Sequence, residues 1–387
     1  MRFPEFEGEW ETKKLGEVAT NKSEKYNPAN ETGSIKCIEM EHLATDTGQL
    51  LGYIDGSTSG SIKNVFNEGD VLFGKLRPYL KKYLQAPFDG VCSSEIWVLK
   101  GKNISNDFLY RIVQTKLFID LANQSSGSKM PRADWNVVES GFFCIPTLLE
   151  QEKISSFLLL IDERIQTQNK IIEELSVLKN CISKKLFSQE LRFKDDNEEK
   201  FPEWKETKLG DVLNIQGGFA FKSNSFNQGT TKVLRIGDIE PRIKLAKFSG
   251  IYSNEKPDKK YIVKKNDFVM ALSGATFGKV GKILDDDYAF INQRVALFRT
   301  KNCLDFFYQL VLTEKFKNYI NSIPAASAQP NISNNDITNY ITVIPVITEQ
   351  IQIAKSLSSI DSKIDIEFQL LQKLEEQKKY LLDNLFV

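Results

Sequence analysis

The sequence predicts a mixed α/β (α+β) chain. It is a pseudo-twofold internal repeat of two domains with small sheets, separated by two long coiled-coil helices. Three observations carry this: edge motifs of one half return in the other, a long apolar seam occurs twice, and short β-branched and aromatic runs fill the regions between. A length of 387 residues suits two or three domains.

The repeat is read first, because long-period self-similarity decides the architecture. Phe3-Pro4-Glu5, Trp10 and Leu15-Gly16-Glu17-Val18 recur as Phe201-Pro202-Glu203, Trp204 and Leu209-Gly210-Asp211-Val212. Asp107-Phe108-Leu109-Tyr110 returns as Asp305-Phe306-Phe307-Tyr308. Ile145-Pro146, Glu150-Gln151 and Ile161-Asp162 return as Ile344-Pro345, Glu349-Gln350 and Ile360-Asp361, each displaced by 199 residues. The first copy begins almost at Met1, whereas the second has the lead-in Leu191-Arg192-Phe193, so the first is expected to be short at that end. The middles, roughly 20–130 and 214–330, match only at scattered points. Similar edges with divergent middles imply one scaffold presenting two different recognition surfaces.

The seams come next. Stepping by four and three gives Ile154, Leu158, Ile161, Ile165, Gln168, Ile172, Leu175, Lys179, Ile182 and Leu186. The same steps give Ile353, Leu357, Ile360, Ile364, Glu367, Leu371, Leu374, Lys378, Leu381 and Leu385. The polar breaks fall at equivalent places, which is how a polar residue fixes register in such a seam. Neither stretch contains Pro or Gly. The spacing predicts two helices of about 35–40 residues, roughly 50–60 Å long at 1.5 Å per residue. Two equal seams in one chain most simply pack on each other. An antiparallel pair would be a rigid spacer with the domains at opposite ends. The expected boundaries are 1–147 for the first domain, 148–192 for the first helix, 193–346 for the linker and second domain, and 347–387 for the second helix.

In the middles, Asp70–Phe73, Ile96–Leu99, Val233–Ile236, Asp267–Ala271 and Val295–Phe298 read as strands. Asp107–Leu121 and Asp305–Ile320 have helical spacing, each opening on an Asp suited to an N-cap. Asn123–Ser128 and Ser322–Asn335 read as loops by composition.

Composition excludes several classes. No apolar run approaches the roughly 20 residues of a membrane-spanning helix, and MRFPEFEGEW has no secretory h-region. Five scattered cysteines without a CxxC pair fit a reducing cytoplasm. A single histidine, His42, rules out a multi-His metal site and reads as an ordinary packed or surface residue. Asp285-Asp286-Asp287 reads as an exposed turn. No catalytic residue, cofactor site or metal site is expected in this chain.

Net charge is zero, but it is unevenly placed. Residues 63–132 carry 11 basic and 6 acidic groups, and residues 201–347 carry 20 and 14. A basic surface on each domain suits phosphate contact. Gly74-Lys75-Leu76-Arg77-Pro78-Tyr79-Leu80-Lys81-Lys82 follows a predicted strand, and its counterpart is Ser273-Gly274-Ala275-Thr276-Phe277-Gly278-Lys279. Ser125–Arg132 and Ser327–Asn331 form a second equivalent pair. The candidate DNA-binding residues are therefore Lys75, Arg77, Tyr79, Lys81, Lys82, Ser128, Lys129 and Arg132 in the first domain. In the second they are Lys222, Arg235, Ser273, Thr276, Lys279, Arg294, Ser327, Gln329 and Asn331.

These features together resemble the specificity (S) subunit of Type I restriction–modification systems. The doubled FPE…W…LG(E/D)V opening, the doubled IP…EQ…ID segment and the near-199-residue repeat carry the resemblance across essentially the whole chain. Ile38-Glu39-Met40-Glu41-His42-Leu43 and Lys232-Val233-Leu234-Arg235-Ile236-Gly237-Asp238-Ile239 resemble recurrent segments of its target recognition domains. The resemblance implies two such domains, each reading half of a split site in double-stranded DNA, held by two long antiparallel helices. It implies docking of two modification (methyltransferase) subunits carrying S-adenosylmethionine, and of restriction subunits using ATP and Mg, in cytoplasmic phage defence. Consistently, no methyltransferase NPPY or DPPY motif and no P-loop is found. The alternative from composition alone is a non-catalytic coiled-coil scaffold that binds other proteins.

Overall fold

A computed structural model describes residues 2–30, 33–58, 60–124, 130–323 and 331–386. The chain divides into two compact units. One is Met1–Lys170 with Phe368–Val387, and the other is Ile171–Glu367.

In the first unit, Glu11–Lys14 pairs antiparallel with Phe142–Ile145, from Glu11 opposite Ile145 to Lys14 opposite Phe142. This tie brings the start of the domain back to the segment that precedes the first long helix. A four-stranded sheet runs Ala19–Thr20, Ile96–Gly101, Val71–Gly74, Tyr83–Gln85. A five-stranded sheet runs Lys25–Tyr26, Lys63–Phe66, Gly90–Cys92, Lys36–Ile38, Ile54–Asp55. Its Lys36–Ile38 and Gly90–Cys92 strands are parallel.

Period two explains the uninterrupted apolar strands. Val71, Phe73, Trp97 and Leu99 face one core with the helices, while Leu72, Ile96 and Val98 face a second core with Ile38, Phe66 and Cys92. Both faces of these strands are covered, so no polar alternation is needed.

The second unit repeats the plan. Lys205–Lys208 pairs with Ile341–Ile344. A five-stranded sheet runs Asn214–Gly217, Val295–Arg299, Phe268–Ala271, Val280–Ile283, Arg242–Ile243. A four-stranded sheet runs Ile251–Ser253, Phe226–Leu234, Ala289–Ile291, Ile262–Val263. Phe226–Leu234 and Ala289–Ile291 are parallel. Phe268 and Met270 face the helical core, and Val269 and Ala271 face the other.

Four local expectations need correction. The expected helix Asp107–Leu121 is two helices, Asn106–Ile112 and Lys116–Ala122, capped by the hydroxyls of Ser105 and Thr115. Asp107 lies in a first turn, where its charge suits the helix dipole. Likewise Asp305–Ile320 is Leu304–Val311 and Glu314–Ser322: Asp305 lies in the first turn after the cap position Cys303, and the Thr313 hydroxyl caps the second helix. The strand expected over Val233–Ile236 stops at Leu234, and Ile236 opens a single 3₁₀ turn. The loop expected through Asn335 gives way to the helix Asn334–Thr338, capped by Ser333.

The repeated opening is also in a different register. Arg192 donates to the carbonyls of Phe201 and Pro202, and Arg2 donates to those of Glu7 and Gly8. With the strand ties in place, Trp10 matches Trp204, so Glu7-Gly8 occupies the place of Phe201-Pro202. The structural repeat is Arg2-Phe3 with Arg192-Phe193. The first copy is thus not short of this element. Arg2 forks onto Glu150 at 2.7–2.8 Å, as Arg192 does onto Glu349 at 2.9–3.1 Å.

The long helices span Leu148–Phe187 and Ile347–Leu385. All twenty seam positions are buried or half-buried. In the first unit Ile154, Leu158 and Ile161 share a core with Leu381 and Leu385. In the second, Leu186 shares one with Ile353 and Leu357. Within each unit the beginning of one helix therefore meets the end of the other, which makes the pair antiparallel. Gln168 and Glu367, the other polar breaks, are buried in the seam.

Candidate nucleic-acid interface

Three segments converge at one rim of each domain, through two backbone hydrogen bonds common to both. In the first unit Lys75 N donates to Glu95 O at 2.9 Å, Ala133 N to Lys75 O at 2.8 Å, and Arg77 N to Pro131 O at 2.7 Å. In the second Leu272 N donates to Arg294 O at 2.9 Å and Ile332 N to Leu272 O at 3.0 Å. Single bridges join Leu76 to Arg132 and Ser273 to Asn331.

Two tight turns complete each rim. The turn after the first parallel strand is Glu39–His42 in one unit and Arg235–Asp238 in the other. Each is closed by a 3.0 Å hydrogen bond from its last N–H to its first carbonyl. His42 Nδ1 and the Asp238 carboxylate each accept the N–H of the turn's first residue, at 3.0 and 2.9 Å. His42 is thus a local capping group. The turn after the second parallel strand is Ser93–Ile96 or Asn292–Val295, closed at 2.9 and 2.8 Å. Glu95 and Arg294 hold the same corner.

The scaffold is common, but the chemistry is opposite. In the first unit Glu39 accepts from Lys63 at 2.6 Å, and Glu95 from Arg132 at 3.0 Å. Burial pushes the Glu39 carboxyl up, but the Lys63 ammonium outweighs it, and the group sits below the usual range. In the second unit Arg235 pairs with Asp238 at 3.2 Å. Arg294 donates to the Asn331 amide oxygen at 3.3 Å. An open cleft of about 260 Å³ lies between Arg235, Ile236, Gly237, Asn292, Gln293 and Arg294.

Of the candidates read from sequence, Lys75, Arg77, Tyr79, Lys81, Lys82 and Arg132 fall on this first rim or the loop beside it. Arg77 and Lys81 flank a 3₁₀ turn with φ of 53° and 48°. The left-handed conformation is uncommon for such residues. Tyr79 between them is exposed. Lys81 is paired with Asp46 at 3.0 Å, and Lys82 donates to Met40 O at 2.6 Å. Arg235, Ser273, Thr276, Arg294 and Asn331 fall on the second rim. Lys279, beyond that loop, is exposed near Glu240 at 3.4 Å. The Thr276 hydroxyl is buried without a hydrogen-bond partner. Lys222 lies on another loop, where its N–H donates to Glu255. Ser128, Lys129, Ser327 and Gln329 lie outside the described residues.

Sequence reasoning missed Glu39, Glu95, Asn292 and Gln293. A search for cations passes over carboxylates and amides. The signal was present in the short polar breaks directly after the strands that carry Cys92 and Ile291. The Asp285-Asp286-Asp287 run lies at a bend with Asp286 exposed, and each carboxylate has a partner. Asp285 accepts the Leu245 and Ala246 N–H groups, Asp286 pairs with Lys265, and Asp287 pairs with Lys232. Among the described residues no group of His, Cys, Asp and Glu is arranged to hold a metal, and no helix is long and apolar enough to cross a membrane.

Comparison with known proteins agrees with this doubled layout. Residues 7–177 and 202–376 each match the Type I restriction modification DNA specificity domain. The chain is 30% identical over 336 residues to the Type I restriction enzyme MjaVIII specificity subunit of Methanocaldococcus jannaschii, covering 82% of this chain and 76% of that one. Its fold resembles a chain in a structure of a type I R-M system (TM-score 0.59, 18% identity, 97% and 96% covered). It also resembles the Type-I restriction-modification system S subunit from M. genitalium (TM-score 0.58, 16% identity, 98% and 96% covered). The chain belongs to the Type I restriction–modification specificity-subunit family, with two tandem DNA specificity domains.

Proposed function

We propose that this protein is the DNA sequence-specificity subunit of a Type I restriction–modification complex, reading a bipartite target in double-stranded DNA with one half per domain. The observation that supports it most is the repeated rim. The same turns and backbone bonds present Glu39 and Glu95 in one domain and Arg235 and Arg294 in the other. A common scaffold with different hydrogen-bonding groups is what reading two different base sequences requires.

The helices serve the assembly. Each carries exposed apolar side chains, among them Leu149, Leu160 and Val177 on the first and Ile366 and Tyr380 on the second. Exposed apolar groups of this kind mark protein contacts, here for two modification subunits. Adenine-N6 methylation with S-adenosylmethionine belongs to those partners, and ATP- and Mg-dependent translocation and cleavage to restriction subunits. This chain supplies recognition, not catalysis, and acts in the cytoplasm.

The test is a domain exchange. Residues 20–130 are replaced by the corresponding segment of a relative with a known target, and the methylated motif is mapped. One half of the motif is expected to change and the other to persist. A change in both halves, or in neither, contradicts the assignment.

A further inference from the structure

We infer that Arg294 reads a guanine in the half-site bound by the second unit, with the base edge seated in the cleft between Arg294, Gln293 and Gly237. This rests on the DNA-reading function proposed above.

Several observations select this side chain. Arg294 and Gln293 occupy the two central positions of the turn closed by Val295 N and Asn292 O at 2.8 Å, so both are presented outward. Among the described residues no carboxylate lies within ion-pair distance of Arg294. Arg235 and Lys279 each have one. The bond to Asn331 tethers one end of the guanidinium and uses one of its five donors. Among the described residues nothing else bonds the fork, which leaves its remaining donors for two parallel hydrogen bonds. Guanine offers two neighbouring acceptors, O6 and N7, in the major groove, and an arginine fork matches them. A phosphate contact needs only charge. It does not need an oriented fork inside a cleft.

The cleft has room for a base edge. A Cβ built on Gly237 meets no atom within 4 Å. The equivalent corner of the first unit is Glu95, held by Arg132, and a carboxylate cannot donate to O6 and N7. A guanine contact from this corner is therefore particular to the second unit.

The experiment uses the full chain with its modification subunit. The wild-type motif is mapped first, and the exchange of residues 20–130 identifies the half read by the second unit. Absence of any chain-dependent split motif at this stage would defeat the DNA-reading function itself, apart from the role of Arg294. With the motif in hand, Arg294→Ala is expected to relax one G·C pair of the second half. Discrimination there should fall roughly tenfold or more, with the first half unchanged. Gly237→Leu, whose Cβ enters open space at the cleft, should block the same position, and a melting curve beside the wild type shows that the variant is folded. Replacing that guanine by 7-deazaguanine, which lacks the N7 acceptor, should weaken binding of the wild-type complex. The inference is overturned by an unchanged motif in Arg294→Ala, by relaxation at an A·T pair or in the first half, or by wild-type binding to every 7-deazaguanine duplex of the second half.

Discussion

Lys378 Nζ lies 2.8 Å from Asp162 Oδ1, and its counterpart Lys179 Nζ lies 2.7 Å from Asp361 Oδ1. Each lysine is a polar break in a long apolar seam. Each aspartate closes the Ile-Asp pair of the repeated IP…EQ…ID segment. The two irregularities of the sequence pattern are thus one device, used twice, that sets the antiparallel register within each unit.

The two pairs have unequal surroundings. Asp162 also receives Arg111 at 2.5 Å, and the Arg111 side chain is only 3% exposed. Asp361 receives the neutral Gln309 amide at 2.8 Å instead, and the nearby Arg242 guanidinium bonds its backbone carbonyl and keeps its own carboxylate partner, Asp365. Asp162→Ala should strand a buried cation and cost about 3–5 kcal/mol. Asp361→Ala should cost about 1–3 kcal/mol. Urea unfolding of both variants measures the difference, and equal costs would remove the role given to Arg111.

Glu39 supplies a pH dependence. Its folded pKa is depressed by Lys63. Its contribution to stability is therefore full above the ordinary glutamate value and is lost as pH falls through the folded value. Glu39→Gln should cost about 2 kcal/mol at pH 7, and the gap to wild type should close toward pH 3. A gap independent of pH would show that the charge is not the source of the cost.

Gly218 sets the position of the Asn292 turn. A Cβ there would lie 1.9 Å from the Asn292 carbonyl oxygen, which is backbone that cannot rotate away. Gly218→Ala should destabilise the second unit by about 1–3 kcal/mol. It should also blur recognition of the second half-site while sparing the first. Wild-type melting and an unchanged motif would show that this close approach is tolerated.

The helices should set the spacer. A seven-residue repeat inserted after both Ile172 and its equivalent Leu371 preserves the seam and adds about 10 Å. At 3.4 Å per base pair, the gap between half-sites should lengthen by about three base pairs, with both halves unchanged. A constant gap in the mapped motif would refute the ruler.

The scaffold was legible in the sequence because it repeats. The seam from Ile154 to Leu186 and its twin need only a spacing rule, and Lys179 and Lys378 were already visible as matched exceptions. Leu72 and Val269 were legible as strand residues, but their facing a second core was not, since a run buried on both sides has no alternation to read. The register of the opening was misread because Phe3-Pro4 and Phe201-Pro202 match as letters, whereas Arg2 and Arg192 match as hydrogen-bond donors. The rims were the least legible. Glu95 and Arg294 share a corner only through strand pairing between segments far apart in the chain, and their opposite charges hide the equivalence from any comparison of residue types.

The central claim is that this chain confers DNA sequence choice on a modification enzyme. Co-expression with the cognate modification subunit, followed by single-molecule mapping of N6-methyladenine in host DNA, tests it most directly. The predicted result is a split motif methylated on both strands, absent when this chain is omitted. Assembly of the full complex with methylation that does not depend on this chain would contradict the claim.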